Sequence, residues 1–215
     1  MKVLITGFDK FGGDSINPSE LAVNMLPNKI DNIDIIKLIL PTVFNDNYEF
    51  LKNTIAKQKP NILIHVGQAG GSKNIRIERI AINIDDARIP DNNGSKPIDK
   101  KIKVDGDTAY FATLPIKSIV KNLTDNNIPA EVSNSAGTFV CNHTMYQSLY
   151  LADKYFPTIK TGFVHIPYIP EQVANKPNMP SMDLDTIVQA LKNIITIAVK
   201  HYHKNDIAYS DGKIY

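Results

Sequence analysis

The sequence is short of cysteine, and this alone excludes several kinds of site. Cys141 is the only cysteine among 215 residues, so the chain cannot form an internal disulfide. Metal sites built on cysteine need several cysteines or histidines close together, and the five histidines are not spaced in that way. We therefore expect neither a bound metal nor a cofactor.

An excess of one charge and long hydrophobic runs are lacking as well. The 24 lysines and arginines nearly balance the 22 aspartates and glutamates, and no basic run carries interleaved aromatics, so nucleic acid is not an expected partner. The N-terminal stretch MKVLITGFDKFGG contains an apolar run of only a few residues, too short for a secretory signal or a membrane span. We expect a soluble, cytoplasmic protein without membrane contact.

The apolar residues that are present suffice for one core and follow an alternating pattern of strands and helices. Hydrophobic residues make up 43% of the chain. Strand-like runs at 2–6, 33–40 and 61–66 alternate with helical patterns, which is typical of α/β proteins. We predict a single-domain α/β/α sandwich over residues 1–215, with a twisted, mixed and mostly parallel sheet. The polar segment at 205–215 is expected to form a loose tail.

Cys141 lies where a predicted strand leads into a predicted helix. A run ending near Val132 precedes the stretch NSAGTFVCNHTMYQSLY, and the spacing of Met145, Leu149 and Ala152 is helical. The free N–H groups at a helix start favour negative charge, and the thiolate is the reactive form of cysteine. Cys141 is therefore a candidate nucleophile. The alternative is a buried cysteine that packs as a small apolar residue.

Two glycine-rich turns follow predicted strands, GFDKFGG after the first and GQAGG after the third. In doubly wound sheets, ligands bind at the carboxyl ends of the strands. Phe8, Phe11 and Gln68 are thus candidate ligand contacts, although the glycines also suit ordinary turns and Gln68 equally suits a capping role. Neither GxGxxG nor GxxxxGK[ST] is present, which argues against a nucleotide site.

His165 and Glu78 are candidate partners for the thiol. Among the histidines, only His165 stands at the carboxyl end of a predicted strand on the expected ligand edge. Its position therefore makes it the best candidate for the base that pairs with the Cys141 thiol. The alternating pattern of residues 74–86 changes phase at Glu78–Arg79, which predicts a bulge or bend. Such a break either aims a side chain at a site or leaves a solvated Glu–Arg pair.

The segment 87–106 is rich in turn residues and contains Pro90, Gly94 and Pro97. Loops of this length in compact domains are often functional or mobile. We expect it to form a lid or a contact between subunits.

Five segments together resemble the pyrrolidone carboxyl peptidases (pyroglutamyl-peptidase I). They are GFDKFGG with NPS, GQAGG, IERIAIN followed by DARIPDN, NSAGTFVCNHTMY, and GFVHIPYIPEQ. The resemblance covers nearly the whole chain and is weakest in the C-terminal tail. It implies a cysteine peptidase that removes an N-terminal pyroglutamyl residue from peptides, without a cofactor, as a homotetramer.

The same resemblance implies a role for each candidate. Cys141 would be the nucleophile, His165 the general base and then the acid, and Glu78 the group that orients the histidine. Arg88 and the N–H of Cys141 would stabilise the oxyanion. The residues implied to bind the lactam ring are Phe8, Phe11 and Gln68.

Two other functions remain open from the residues alone. One is a non-catalytic α/β module that binds a small metabolite at the same sheet edge, with Cys141 inert. The other is a different thiol amidase that uses the same three groups. If Glu78 does not orient His165, then Asp85 or Asp86 is the next candidate carboxylate.

Overall fold

A computed structural model of the chain describes residues 1–44 and 47–212. The strands of this described part are β1 (Lys2–Phe8), β2 (Lys29–Ile30), β3 (Ile33–Leu40), β4 (Ile62–Gln68), β5 (Ile75–Glu78), β6 (Ile80–Ile82), β7 (Ala109–Phe111), β8 (Ala130–Ser133) and β9 (Lys160–Ile166). Its helices are α1 (Pro18–Met25), α2 (Asn47–Gln58), α3 (Ile116–Asp125), α4 (Val140–Lys154), α5 (Pro170–Val173) and α6 (Leu184–Lys200).

Seven strands form one sheet in the order β2-β3-β1-β4-β9-β5-β8. The β1–β3, β1–β4, β4–β9 and β5–β8 pairs are parallel, whereas β2–β3 and β5–β9 are antiparallel. Because the central strands carry apolar residues on both faces, each face must be covered by helices. The predicted mixed, mostly parallel sheet is confirmed.

Helices cover the two faces of the sheet and enclose two cores. On one face, α1, α3 and α6 pack over β-strand residues such as Ile64 and Val164. On the other face, α2 and α4 pack over residues such as Leu63 and Phe163. The arrangement is the predicted α/β/α sandwich. Among the described residues, no helix combines the length and apolar character needed to cross a bilayer.

Local signals explain how the first helix begins. The side chain of Asn17 accepts a hydrogen bond from the N–H of Ser19 at 3.0 Å, and Pro18 occupies the first helical position, where its missing N–H costs nothing. Asn17 also donates to the carbonyl of Asp9, which ties the helix start to the loop after β1. The cap therefore also holds this loop beside the sheet edge.

The predicted break at Glu78–Arg79 is confirmed, and its structural basis is a change of sheet. β5 ends at Glu78 within the large sheet, whereas β6 begins at Ile80 and pairs with β7 in a separate antiparallel ribbon. Arg79 between them donates its N–H to the carbonyl of Ser133 at 2.8 Å. The alternative of a solvated Glu–Arg pair is wrong, because only 1% of Glu78 is exposed.

The long loop at 87–106 contains no helix or named strand among the described residues and is pinned at several points. The side-chain oxygen of Asn83 accepts from the N–H groups of Ile102 and Lys103, both at 2.9 Å. The carboxylate of Asp91, inside the loop, accepts from the N–H of Phe44 at 2.9 Å. These bonds hold the loop against the body of the protein.

The described part of the C-terminal tail is anchored, although a loose tail was expected from its composition. The carboxylate of Asp206 accepts hydrogen bonds from the N–H groups of Lys117 and Ser118 at 2.7 and 2.9 Å. The carboxylate of Asp211 accepts from the N–H of Val132 on β8 at 2.8 Å. The last part of the predicted tail, 213–215, lies outside the described residues.

The carboxylate of Asp206 caps two first-turn N–H groups of α3 from outside the helix, so we expect Asp206→Ala to destabilise the protein. Loss of such a cap lowers the free energy of unfolding by about 1 kcal/mol, measurable by urea denaturation at pH 7. Burial alone raises the pKa of Asp206, but hydrogen bonds from Ser118, Lys117 and Ile207 hold this pKa below its ordinary value. The cap's contribution is therefore complete above about pH 4 and is lost as the pH falls through the lower folded-state pKa.

Asp125 on the same helix provides the matched control. It is exposed, and among the described residues its carboxylate pairs only with Lys121 one turn earlier. Asp125→Ala should change the free energy of unfolding by less than about 0.5 kcal/mol. Equal effects of the two substitutions would contradict the capping role of Asp206.

Candidate active site

The sheet brings Glu78 and His165 onto the same face of neighbouring strands. Arg76 on β5 lies opposite His165 on β9, and the two-residue period of a strand places Glu78 on the same face as Arg76. Glu78 is thus a diagonal neighbour of His165. The distance from Nδ1 of His165 to Oε1 of Glu78 is 2.7 Å, and both side chains are buried.

Helix α4 begins beside these strands and places the sulfur of Cys141 at the sheet edge. Gly67 on β4 lies opposite His165 on β9. A Cβ atom at Gly67 would lie 3.0 Å from the sulfur of Cys141 and 2.7 Å from the ring of Phe163. The absence of a side chain at Gly67 therefore makes room for the sulfur next to the histidine.

The imidazole of His165 interacts with an acidic group on each side. Burial alone would lower the pKa of His165, but the charge and hydrogen bond of Cys141, together with the hydrogen bond and charge of Glu78, raise this pKa to about 10. At neutral pH the ring is therefore an imidazolium. Since Nδ1 donates to Glu78, Nε2 is the nitrogen available to Cys141.

The start of α4 also supplies free main-chain donors. The first intrahelical bond runs from the N–H of His143 to the carbonyl of Phe139 at 3.1 Å. The N–H groups of Val140, Cys141 and Asn142 precede it, and such groups at a helix start favour an anion. One of them belongs to the residue that carries the sulfur.

A pocket of about 460 Å³ opens beside the helix start. Its lining residues are Phe11, Asp86, Arg88, Ile89, Gly137, Thr138 and Phe139. The ring centroids of Phe11 and Phe139 are 6.1 Å apart, and Phe44 packs edge-on against Phe139 at 5.3 Å. The pocket therefore combines an aromatic wall with charged groups at its rim, as small-molecule sites often do.

The other predicted ring-binding residues lie elsewhere in the site. Phe8 is buried and stacks on Phe163 with ring centroids 6.1 Å apart, and Phe163 in turn packs against His165 at 4.7 Å. Gln68 ends β4 directly after Gly67, and its side-chain oxygen accepts a hydrogen bond from Gln172. Neither Phe8 nor Gln68 is among the residues that line the 460 Å³ pocket.

The two alternative carboxylates do not bind His165. Asp85 instead pairs with His143, with oxygens 2.8 and 3.0 Å from Nδ1. Asp86 is exposed at the pocket rim, and its main chain bonds to Thr138. Glu78 is the carboxylate that the fold brings to His165.

Sequence reasoning missed Phe139 and Ile89 as pocket residues, and it missed the Asp85–His143 pair. An aromatic residue two positions before the candidate nucleophile was the available signal for Phe139. His65 on β4 is fully buried, and burial lowers its pKa to about 3. No group of three or more His, Cys, Asp or Glu side chains in the described part of the chain could hold a metal ion.

Comparisons with known proteins agree along the whole chain. A family model described as pyroglutamyl peptidase matches residues 1–201. A pyrrolidone-carboxylate peptidase of Clostridium botulinum is 55% identical over 100% of both chains, and one of Lactobacillus johnsonii is 53% identical over 99% of both.

Solved structures show the same fold. The pyroglutamyl peptidase I from Bacillus amyloliquefaciens has a TM-score of 0.93 at 45% identity, covering 97% of this chain and 99% of its own. The pyrrolidone carboxyl peptidase from Thermococcus litoralis has a TM-score of 0.92 at 42% identity, with the same coverage.

The geometry predicts how His165 titrates. We expect its ring signals in NMR spectra, assigned by comparison with His165→Gln, to remain those of an imidazolium up to about pH 10. In Cys141→Ala the midpoint should move down, because the charge and the hydrogen bond of the sulfur are lost. Glu78→Gln should also lower the midpoint pH of the His165 titration. A midpoint near 6.5 in the unaltered protein would contradict the paired arrangement.

Proposed function

The chain belongs to the pyroglutamyl peptidase family, and on that premise we propose that Cys141, His165 and Glu78 are its catalytic triad. The chain is a cysteine peptidase that removes an N-terminal pyroglutamyl residue from peptides. Family membership thus favours the peptidase over the non-catalytic module and the other amidase. The observation that carries the triad is the 2.7 Å hydrogen bond between Glu78 and His165, with the sulfur beside the ring.

In the proposed reaction, Nε2 of His165 first takes the proton of the Cys141 thiol, which leaves a thiolate. The sulfur attacks the carbonyl carbon that follows the lactam ring, and the carbonyl oxygen becomes an oxyanion. When this intermediate collapses, the C–N bond breaks and Nε2 of His165 gives its proton to the leaving amine. The product at this stage is a thioester between Cys141 and the pyroglutamyl group.

Water completes the cycle. His165, now neutral, takes a proton from a water molecule whose oxygen attacks the thioester carbon. The C–S bond breaks, pyroglutamate leaves, and the thiolate–imidazolium pair is restored. Glu78 keeps Nδ1 protonated and stabilises the imidazolium in both steps.

Two groups are proposed to stabilise the oxyanion. The N–H of Cys141 lies at the start of α4, where main-chain donors are free of helical acceptors. Arg88 lines the adjacent pocket and carries a permanent positive charge. Donors placed in advance at the position where charge develops lower the barrier because they need no reorganisation.

The lactam ring is proposed to bind among Phe8, Phe11 and Gln68. Phe11 contributes to the aromatic wall, Phe8 packs on the ring of Phe163 beside His165, and Gln68 places an amide directly after Gly67. A pocket that pairs with both the N–H and the C=O of the lactam rejects proline, since buried polar groups would be left without partners.

We also propose that residues 1–215 form one peptidase domain in the cytoplasm. The seven-stranded sheet contains strands from β1 near the N-terminus to β9, and the tail bonds to α3 and β8. Both observations support a single domain. A reducing compartment would keep the catalytic thiol free. The partners proposed are peptides with an N-terminal pyroglutamate.

We propose that copies of the chain form a homotetramer. Large apolar side chains are exposed in and near the long loop: Ile98 is 71% exposed, Val104 88% and Phe111 65%. A second copy covering them would remove apolar surface from water. Sedimentation should give four times the mass of one chain, and Val104→Lys or Phe111→Lys should give smaller species.

Met25, which is exposed on α1, supplies the control for the assembly. Met25→Lys should leave the sedimented mass unchanged, because α1 packs on the opposite face of the sheet from α2 and α4, whereas Ile102 of the long loop packs against the core on the α2 and α4 side. A single-chain mass for the unaltered protein would refute the tetramer.

The decisive test of the catalytic role uses Cys141→Ser with a chromogenic pyroglutamyl amide. A serine hydroxyl is a far weaker nucleophile than a thiolate, so activity should fall more than about 10³-fold. The thermal unfolding midpoint should stay close to that of the unaltered protein. Wild-type protein should cleave the pyroglutamyl amide and leave the prolyl amide intact.

Alkylation gives an independent check on the same residue. Iodoacetamide should inactivate the protein by modifying Cys141, and a competing pyroglutamate analogue should slow the modification. Full activity after complete alkylation would exclude Cys141 as the nucleophile.

A further inference from the structure

The side-chain amide of Gln172 joins three segments around the site. Gln172 lies in α5, shortly after His165, and its Nε2 is 2.8 Å from Oε1 of Gln68 at the end of β4. The same nitrogen has longer contacts of 3.5 Å to Oδ2 of Asp14 and to the carbonyl of Ile16, in the loop after β1. Gln172 is only partly exposed. It therefore connects the strand end that follows Gly67 to the loop that carries Phe11.

The hydrogen bonds determine the orientation of both amides. The main-chain N–H of Ile169 donates to Oε1 of Gln172 at 3.2 Å, so the NH2 group of Gln172 must face the other way, towards Gln68. An NH2 group only donates, so Gln68 must turn its carbonyl oxygen towards Gln172. The NH2 group of Gln68 is then available to an acceptor. No hydrogen bond within residues 1–44 and 47–212 uses it.

We propose that Gln172 is a positioning residue that sets the preference for a 5-oxoproline ring over proline. It does so by holding Gln68 with its NH2 group available to the ring carbonyl. The inference rests on the proposed role of Gln68 in binding the lactam. A fixed donor is satisfied by the lactam oxygen, which proline lacks. Without Gln172, rotation about the terminal torsion of Gln68 would offer either its oxygen or its nitrogen.

Two substitutions at Gln172 test this by different routes. Gln172→Leu removes the donor. Gln172→Glu replaces the donor with a carboxylate, which only accepts hydrogen bonds. In Gln172→Glu, Gln68 should therefore turn its NH2 group towards residue 172 and present its oxygen to the ligand. Each should raise KM for the pyroglutamyl amide about five-fold, the effect of one hydrogen bond, with kcat within about two-fold. If Gln172→Leu does not fold, the KM of Gln172→Glu alone tests the proposal.

A double-mutant cycle separates positioning from a general structural effect. In a Gln68→Ala background, Gln172→Leu should leave KM unchanged, because the residue through which it acts is gone. Glu171→Leu, in the same turn and exposed, is the matched control and should leave KM and kcat unchanged. The rate of Cys141 alkylation should be the same in all these variants.

The outcomes are distinguishable from failure of the proposed function. If wild-type protein cleaves the pyroglutamyl amide but Gln172→Leu and Gln172→Glu keep its KM, the inference is wrong and the peptidase stands. An equal rise in KM with and without Gln68 would also overturn it. If the wild-type protein does not cleave the amide, the proposed function itself fails.

Discussion

The hydrogen bond between Glu78 and His165 is the interaction on which the site depends, and the fold is arranged to permit it. β5 must lie beside β9 in the antiparallel direction, with Arg76 opposite His165, for the carboxylate to reach Nδ1. The chain must then leave the large sheet at Arg79, so that the carboxylate stands at the end of its strand. A one-residue slip in this register would turn Glu78 to the opposite face and leave the imidazole without its acceptor.

Burial and neighbouring charged groups have opposite effects on the pKa of His165. An isolated buried imidazolium is costly, and burial alone would lower the pKa of His165. The charge and hydrogen bond of Cys141, together with those of Glu78, outweigh that effect and raise the pKa of His165. Glu78 and His165 are buried, whereas Cys141 is only partly so. The proposed base is thus protected from water, and the proposed nucleophile stays accessible to a substrate.

Local patterns predicted much of the fold, and distant pairings account for what they missed. The bounds of β3 and the break after Glu78 depend on neighbours within a few residues, so the sequence shows them directly. The pairing of β6 with β7, and of Asp85 with His143, joins positions far apart in the chain. No local spacing marks such partners. The proposed triad came from family resemblance, since position alone could not choose between Glu78 and Asp85.

The anchoring of the tail has a consequence for aggregation. β8 is an outermost strand of the large sheet, and the N–H of Val132 on it bonds to the carboxylate of Asp211. The first turn of α3 likewise depends on the carboxylate of Asp206. Proteolytic removal of residues 205–212 would therefore leave the N–H of Val132 exposed on an open strand edge, which is prone to pair with other chains.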